Sequence, residues 1–554
     1  MMKKLTAFLL AMTLAFGIIG CFSAQAADTA EQLDKEIGAF EITAAQRELA
    51  ANNEAGLPVL DAGRGNPNWI NTLSRYAFSR LMEFSLGECE RTMKTGDMAG
   101  QAEEEGIGAR FDAAMNADDR TDAFLIASVN YCVSELGMDK DALVKELVDG
   151  IIGCFYPSPS RSLPHTEEIL NTYLQSTLYN GEDLSEETLV FPVEGGTAAI
   201  CYIFDSLHHN RLLKEGDKIA IAEPIFTPYL QIPDVNNYGL VSINVTSTEA
   251  DNWDIPDEAF ETLADPEIKA FFLVNPSNPA SHQLSFESLK KLEEAVRKNP
   301  SLIIITDDVY GTFVNDFETV YAAIPHNTIL VYSFSKLYGV TGWRVGMVAM
   351  NRDNVCDKLL ADLPDADRDF LHQEYSIVTE EPESMSFMER MVADSRSIGL
   401  YHTSGLSTPQ QVFMDLLAPT HLINEENDEY INLTKDVIHE RHKALYEVLG
   451  IEEDNDEMDA EYYAFLDWVY LAEKHYGMEF GKWMSENIDD LTFLNDMAGR
   501  FGVVLMYGPG FGGPSGSVRV SLANLNTEDY REIGHRAYLL VADYYGRFLE
   551  ESAA

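Results

Sequence analysis

The chain has 554 residues, 46% of them hydrophobic, so it is long enough to bury a large core. Its formal net charge of −52 argues against nucleic-acid binding, which needs a basic surface. The cysteines are scattered and lack CxxC spacing, so neither a metal site nor a disulfide framework is predicted.

The first 26 residues have the pattern of an export signal. Residues 1–4 include two lysines, residues 5–20 form an apolar run of signal-peptide length, and residues 24–26 read Ala-Gln-Ala, an A-x-A cleavage site. Residues 18–21 also fit a bacterial lipoprotein box, in which Cys21 is lipidated. A membrane anchor is disfavoured because the apolar run is short for a span. We therefore predict an exported, periplasmic protein that is either cleaved after residue 26, which we favour, or anchored through Cys21.

The segment around residue 195 is predicted to bind a phosphate group. Gly195, Gly196 and Thr197 follow a short apolar run and precede a helix-like stretch. Free N–H groups at a helix N-terminus and a nearby hydroxyl attract an anion.

Two further apolar runs are predicted to be buried strands that end in polar residues. Residues 270–274 lead to Asn278, and residues 302–306 lead to Asp307 and Tyr310. Strands alternate with helix-like segments through this part of the chain, which predicts an α/β domain with a mostly parallel sheet. Ligands bind at the carboxyl ends of the strands in such sheets, so we expect these polar residues to share one site.

Residues 333–346 contain the most informative pattern. Lys336 lies among Ser333, Ser335 and small residues, and Arg344 follows eight positions later. A lysine amine can form a Schiff base with an aldehyde. Hydroxyl groups and a guanidinium bind phosphate, and glycines let the backbone come close. The chemistry of a lysine-bound cofactor needs this combination of residues.

In this order, the segments resemble the fold-type I enzymes of the aspartate aminotransferase type, which use pyridoxal 5′-phosphate (PLP). The resemblance implies that Lys336 is the catalytic lysine that holds PLP as a Schiff base. It also implies that Asp307 pairs with the pyridine nitrogen and that Asn278 and Tyr310 bond the cofactor O3′ atom. The three-residue spacing to Tyr310 favours Asp307 over its neighbour Asp308.

The same resemblance assigns further ligands. The cofactor phosphate is expected to bind to the following residues: Gly195, Gly196, Thr197, Ser333, Ser335 and Arg344. Phe226 is expected to stack on the pyridine ring or, alternatively, to be a core phenylalanine. Arg519, in an Arg-x-Ser motif near the C-terminus, is expected to bind the substrate α-carboxylate together with Asn278, the alternative being an ordinary strand arginine. The family usually has Thr-Gly after its Asn-Pro-x-Asn-Pro motif, and this chain departs from it with Ala280 and Ser281.

The resemblance also implies a domain organisation, that of an α/β fold-type I PLP-dependent transferase. Residues 69–425 are predicted to form the large PLP-binding domain, with helical insertions at about residues 75–150 and 352–400. Residues 426–554 are predicted to form a small α/β C-terminal domain. The N-terminal segment, residues 27–68, is predicted to be part of this small domain.

Two segments resemble a narrower group, the aspartate 4-decarboxylases. They are residues 61–69 and 156–166, and the likeness covers about residues 30–550. It implies β-decarboxylation of L-aspartate to L-alanine and carbon dioxide, with a side aspartate aminotransferase activity. It places Arg64 at the active site as a substrate ligand. It also implies that Tyr156 binds the cofactor phosphate of a neighbouring subunit. The alternatives are a turn arginine and a core tyrosine.

The sequence patterns leave two other functions to consider. The main alternative is a plain aminotransferase for aspartate or an aromatic amino acid. A non-enzymatic relative is disfavoured, because such a protein is expected to lose Lys336 or its partners. The expected partners are L-aspartate, 2-oxo acids and further copies of the chain, with a homodimer as the minimal unit of a larger homo-oligomer.

Overall fold

The computed structural model describes residues 38–95, 99–236, 238–452 and 457–553. The predicted signal peptide and Cys21 lie outside these residues. Among the helices in the described ranges, none combines the length and the apolar character needed to cross a membrane.

The described residues form three sheets. The strands have these bounds: β1 (Leu60–Asp61), β2 (Thr188–Val193), β3 (Lys218–Glu223), β4 (Val241–Thr246), β5 (Ile268–Val274), β6 (Ile303–Asp307), β7 (Thr328–Ser333), β8 (Gly346–Asn351), β9 (Tyr463–Asp467), β10 (Val503–Val504), β11 (Met506–Tyr507) and β12 (Ser517–Ser521). Seven of them form the central sheet in the order β2-β8-β7-β6-β5-β3-β4. Only β8 runs against its neighbours in this sheet, so the prediction of a mostly parallel α/β sheet is confirmed.

Helices cover both faces of the central sheet and surround the smaller sheets. Their bounds are α1 (Ala39–Ala51), α2 (Thr72–Thr92), α3 (Ile107–Ala114), α4 (Arg120–Ser134), α5 (Lys140–Ile152), α6 (Pro164–Leu178), α7 (Gly196–His209), α8 (Thr227–Leu230), α9 (Asp257–Leu263), α10 (Phe286–Lys298), α11 (Val320–Ala323), α12 (Val355–Ala361), α13 (Asp365–Tyr375), α14 (Phe387–Asp394), α15 (Thr408–Leu417), α16 (Pro419–Leu422), α17 (Glu429–Leu449), α18 (Trp468–Tyr476), α19 (Met478–Asn487), α20 (Asp490–Phe501) and α21 (Thr527–Ala553). Helices α2–α5 and α12–α14 occupy the segments in which helical insertions are predicted.

Helix α10 illustrates how the sequence sets these elements. Ser285 caps its first turn by accepting a hydrogen bond from the Ser288 N–H. Basic residues lie in its last turn, where their positive charge interacts favourably with the helix dipole. One face of the helix is apolar and lies against the sheet. The buried residues of that face are Leu289, Leu292, Ala295 and Val296.

The N-terminal segment and the C-terminal part of the chain pack together. Strand β1 pairs in parallel with β10, and β12 lies between β11 and β9 in an antiparallel sheet. In that sheet Arg519 is opposite Met506 on one side and Phe465 on the other. The pairing of β1 and β10 brings the loop after residue 61 next to the strand that carries Arg519.

The predicted ligand residues meet at one edge of the central sheet. Strand β6 ends at Asp307, which is paired in register with Val274 at the end of β5 and with Val331 in β7. Because parallel strands end at the same edge, the residues after β5, β6 and β7 lie close together. Helix α7, which begins at Gly196 after β2, approaches the same edge.

Candidate active site

A cavity of about 310 Å³ lies at this edge of the sheet, between the central sheet and the C-terminal part of the chain. Eleven of the predicted ligand residues line it: Gly196, Thr197, Phe226, Asn278, Asp307, Tyr310, Ser333, Ser335, Lys336, Arg344 and Arg519. Gly195 directly precedes the first of them. The cavity therefore gathers residues that lie more than 300 positions apart in the sequence.

Lys336 extends into this cavity from the loop after β7. Its Nζ atom donates a hydrogen bond of 3.0 Å to the carbonyl oxygen of Gly65. The Trp69 indole donates to the carbonyls of Lys336, at 3.1 Å, and of Leu337, at 2.9 Å. The segment from Gly65 to Trp69 thus holds both the amine and the backbone of the lysine loop.

The two adjacent acids at the end of β6 have different surroundings. Asp307 lines the cavity and accepts a 2.8 Å hydrogen bond from the Tyr229 hydroxyl. Burial raises the pKa of Asp307 to about 6, so the carboxyl is mostly ionised at neutral pH. Asp308 is not among the lining residues and accepts a hydrogen bond from the Thr306 hydroxyl. Burial raises the pKa of Asp308 to about 8, so that carboxyl is mostly protonated at neutral pH.

A pair of tyrosine hydroxyls lies in the same cavity. The Tyr310 and Tyr463 hydroxyl oxygens are 2.7 Å apart, and Nδ2 of Asn278 lies 3.5 Å from the Tyr310 hydroxyl. Tyr463 in turn is held by the Ser281 hydroxyl, which accepts from its N–H at 2.8 Å and donates to its carbonyl at 3.1 Å.

These contacts give a structural reason for the departure from the usual Thr-Gly sequence. Ser281 has φ +64°, a left-handed conformation that costs a residue with a side chain about 1 kcal/mol and that favours glycine. Here the side chain compensates with two hydrogen bonds to the backbone of Tyr463.

Arg519 is fully enclosed, with 1% of its surface exposed. Nη1 donates to Oδ1 of Asn278 at 3.0 Å, and Nη2 donates to the Gly63 carbonyl at 2.8 Å. The guanidinium lies between the rings of Tyr463 and Phe511, 4.2 and 4.9 Å from their centroids. Among the described residues its Nε atom has no hydrogen-bond partner. A buried cation with an unsatisfied N–H is stabilised by an anionic ligand, such as a carboxylate.

The residues around the start of α7 form a cradle for an anion. Gly195 has φ +85°, and a Cβ atom there would lie 2.7 Å from Nη2 of Arg344. That nitrogen donates to the Glu194 carbonyl at 3.3 Å. The Ser333 and Ser335 hydroxyls are 2.7 Å apart and line the same cavity. Hydroxyls, a guanidinium and a helix N-terminus together make a donor set for phosphate.

Two predicted site residues lie outside the cavity in the single chain. The Arg64 side chain is 60% exposed, and its Nε atom is 3.5 Å from Oδ2 of Asp61, although its neighbours Gly65 and Asn66 line the cavity. Tyr156 is 64% exposed, so it is not a core tyrosine. The roles predicted for both residues stay predictions.

Sequence analysis missed several residues of the cavity. The motifs did not predict Tyr463, Tyr229 or Asn66, all of which line the cavity. Phe226 itself is partly buried. Its ring packs edge-on against two other rings, with centroid distances of 5.7 Å to Phe40 and 5.2 Å to Tyr229. The aromatic residues at the start of β9 were the available signal for Tyr463, but an aromatic residue in a strand usually indicates the core.

Comparisons with known proteins agree with this geometry. Residues 161–536 match the model of the aminotransferase class I and II family. The chain belongs to this family. It is 40% identical over 503 residues, 90% of this chain and 94% of the relative, to the bifunctional aspartate aminotransferase and L-aspartate beta-decarboxylase of a Pseudomonas species. The family prediction is therefore confirmed.

Solved structures of the family share the fold. A double mutant of the Thermus thermophilus aspartate aminotransferase has a TM-score of 0.57 at 16% identity, and the match covers 91% of this chain and 96% of that one. The aromatic aminotransferase of Pyrococcus horikoshii OT3 has a TM-score of 0.57 at 16% identity, over 88% of this chain and 96% of that one. Class I and II aminotransferases depend on PLP, so the cofactor prediction is confirmed as well.

The residues present fit that cofactor. The phosphate donors, the buried Asp307 carboxylate and the Lys336 amine all line one cavity. Phosphate donors, a carboxylate and a lysine amine suit, respectively, a phosphate, a protonated ring nitrogen and an aldehyde.

Proposed function

We propose that this member of the aminotransferase class I and II family removes the β-carboxyl group of L-aspartate, which yields L-alanine and carbon dioxide. A side aspartate aminotransferase activity accompanies this reaction. The observation that carries the proposal is the likeness, over nine-tenths of the chain, to a relative named for both activities. The assembled cavity supports it, because Lys336, Asp307 and Arg519 line it together.

The cofactor ligands divide by the part of PLP that they are proposed to hold. Gly195, Gly196, Thr197, Ser333, Ser335 and Arg344 hold the phosphate, while Phe226, Asn278, Asp307 and Tyr310 surround the ring. When bound, PLP supplies an aldehyde for amine attachment and a ring that takes up electrons from a breaking bond. The Asp307 carboxylate favours the protonated ring nitrogen, and thereby the electron-accepting state.

The substrate is proposed to be held at its α-carboxylate by Arg519 and Asn278. Lys336 then lies where its amine can take the proton from Cα and return it, because it shares the cavity with Arg519. Its hydrogen bond to the Gly65 carbonyl orients the amine before substrate enters.

The positive charges that line the cavity bear on whether the β-carboxylate is held or lost. Within the described residues, the lysines and arginines that line the cavity are Lys336, Arg344 and Arg519. All three are already assigned to the cofactor or to the α-carboxylate. A strong ion pair at the β-carboxylate would stabilise the ground state and oppose decarboxylation. In the single chain, the lining therefore leaves no further cation among the described residues for such an ion pair, which suits loss of the β-carboxylate.

Product analysis tests the proposed function. Purified protein is incubated with PLP and L-aspartate, with and without a 2-oxo acid, and carbon dioxide, alanine and oxaloacetate are measured. We expect equal amounts of carbon dioxide and alanine without any oxo acid, because decarboxylation needs no amino acceptor. Transfer of the amino group to the oxo acid without release of carbon dioxide would show a plain aminotransferase instead.

Arg519→Lys should raise the KM for aspartate by about tenfold or more. Lysine keeps the positive charge but loses the fork that gives a carboxylate two parallel hydrogen bonds. Steady-state kinetics at saturating PLP measures the effect. Arg536→Lys is the matched control, because Arg536 is also a buried arginine but does not line the cavity. An unchanged KM in Arg519→Lys would remove this residue from the substrate site.

Arg64→Ala should change the ratio of decarboxylation to amino transfer and leave the visible spectrum of the bound cofactor intact. Its neighbours Gly65 and Asn66 line the cavity, so the loop that carries Arg64 borders the proposed substrate site. A charge there would set the orientation of the breaking bond. Arg47→Ala is the control, because Arg47 pairs with the same Asp61 at 2.7 Å. If the ratio is the same in both variants, Arg64 is only a turn residue.

We also propose that the protein acts outside the cytoplasm as a homo-oligomer. The export pattern of residues 1–26 supports the location, and cell fractionation tests it. The exposure of Tyr156 suits a residue lent to a neighbouring subunit, and the mass of the protein in solution tests whether at least a dimer forms.

A further inference from the structure

The helical insertion after β8 is attached to the back of helix α7. The Asp394 carboxylate, at the end of α14, accepts hydrogen bonds from Asn210 at 3.0 Å and from the Tyr375 hydroxyl at 2.7 Å. It also accepts one from the Ser206 hydroxyl. The insertion thus holds the C-terminal half of the helix whose N-terminus forms the anion cradle.

A second attachment lies next to the cradle itself. Nη2 of Arg396 is 2.8 Å from a carboxylate oxygen of Glu194, and Nη1 donates to the Tyr202 hydroxyl at 3.1 Å. The Tyr202 hydroxyl donates to the other Glu194 oxygen at 3.0 Å. The three side chains therefore form a closed ring of hydrogen bonds between the insertion, α7 and the residue before Gly195.

Glu194 brings a negative charge next to the predicted phosphate cradle. The Glu194 carbonyl accepts a hydrogen bond from Arg344, and Gly195 is the next residue. The Glu194 carboxylate therefore belongs to the same segment as the cradle. A carboxylate near a phosphate repels it, and the repulsion is only partly screened where the groups are half-buried. The Glu194 and Arg396 side chains are 37% and 26% exposed.

We propose that Arg396 is a positioning residue for the cofactor phosphate. Its guanidinium neutralises the Glu194 carboxylate and, through Tyr202, fixes the first turns of α7. The proposal rests on PLP as the cofactor of the proposed function. It gives the insertion a role in cofactor binding, although none of these three side chains lines the cavity.

Binding of PLP and of pyridoxal to the apoprotein tests this proposal, because pyridoxal lacks only the phosphate. For Arg396→Gln we expect PLP to bind about five- to tenfold more weakly, the effect of an unpaired, partly buried charge close to an anion. Pyridoxal binding should be unchanged within about twofold, since no phosphate is present to be repelled. Arg396→Lys keeps the charge and should retain most of the PLP affinity.

Two further variants locate the effect. The double variant Arg396→Gln/Glu194→Gln removes both charges and should recover most of the PLP affinity. Arg368→Gln is the matched control, because Arg368 lies in the same insertion but pairs with the exposed Asp365. It should bind both ligands as the wild type does.

The outcomes separate this proposal from the proposed function. An equal loss of PLP and pyridoxal binding in Arg396→Gln would mean that the arginine only supports the fold. The link through Glu194 would be overturned if the double variant bound PLP as weakly as the single variant does. It would also be overturned if Arg396→Gln bound PLP as tightly as the wild type does. If the wild-type apoprotein binds neither ligand, the cofactor of the proposed function is wrong.

Discussion

Replacement of Lys336 by alanine is expected to abolish turnover of aspartate, with a fall of about 10⁴-fold or more. The variant loses the amine that attaches the cofactor covalently and that moves the Cα proton, so two separate contributions disappear together. The cavity has no second lysine among its lining residues in the described part of the chain. The measurements are carbon dioxide release, the visible absorbance of bound cofactor and its retention on dialysis.

Lys435→Ala is the control for this experiment. Burial lowers the pKa of Lys435 to about 8, so it is the kind of lysine that can also react with an aldehyde. Its Nζ atom instead donates to Asn315, at 2.8 Å, and to the Val314 carbonyl, at 3.2 Å, away from the cavity. We expect Lys435→Ala to keep its activity and its covalent cofactor. A Lys336→Ala protein that still decarboxylates aspartate would refute the assignment of the active site.

Asp307→Asn is expected to weaken PLP binding and to lower turnover by about 10²- to 10³-fold. The variant removes the carboxylate that holds the ring nitrogen in its protonated, electron-accepting state. Asp308→Asn should have little effect, because the Asp308 pKa of about 8 makes this side chain a neutral acid at pH 7, which asparagine imitates. Kinetics and PLP titration of the two variants give the comparison, and the reverse ranking would show that the wrong acid has been assigned.

The pH dependence of cofactor binding follows from the same residue. The Asp307 pKa is raised to about 6 by burial, so the carboxylate is present above that pH and gains a proton as the pH falls through it. The attraction for the protonated ring nitrogen is lost in the same step. We expect wild-type affinity for PLP to decline below about pH 6, and Asp307→Asn to lack this decline. If PLP affinity declined equally in both proteins, a titrating group other than Asp307 would be responsible for the decline.

The choice between the two acids shows what a local pattern can predict. The spacing from Asp307 to Tyr310 favoured Asp307, and in the structure Asp307 and Tyr310 both line the cavity. Successive side chains of a strand point to opposite faces, so one acid of an adjacent pair faces the ligand and the other faces away. Short motifs of this kind are readable because their spacing sets the geometry within one element.

Contacts between distant segments were not readable in this way. Tyr463 meets Tyr310 across 153 positions, and Arg396 meets Glu194 across 202. No spacing rule connects such residues, since their distance depends on how whole elements pack. The exposed position of Arg64 in the single chain likewise depends on tertiary packing, which the residues around it do not reveal.

The sequence by itself predicted the α/β class, because hydrophobic periodicity reveals buried strands and helices. The family and the cofactor were predicted from the resemblance of its short motifs, in their order, to those of known enzymes. Only the tertiary structure decided that Arg519 is enclosed between two aromatic rings with one unsatisfied N–H. It alone showed that a helical insertion is attached to the anion cradle through Arg396. Such features depend on side chains that become neighbours when distant elements pack into one core, and their interaction energies exist only in the folded chain.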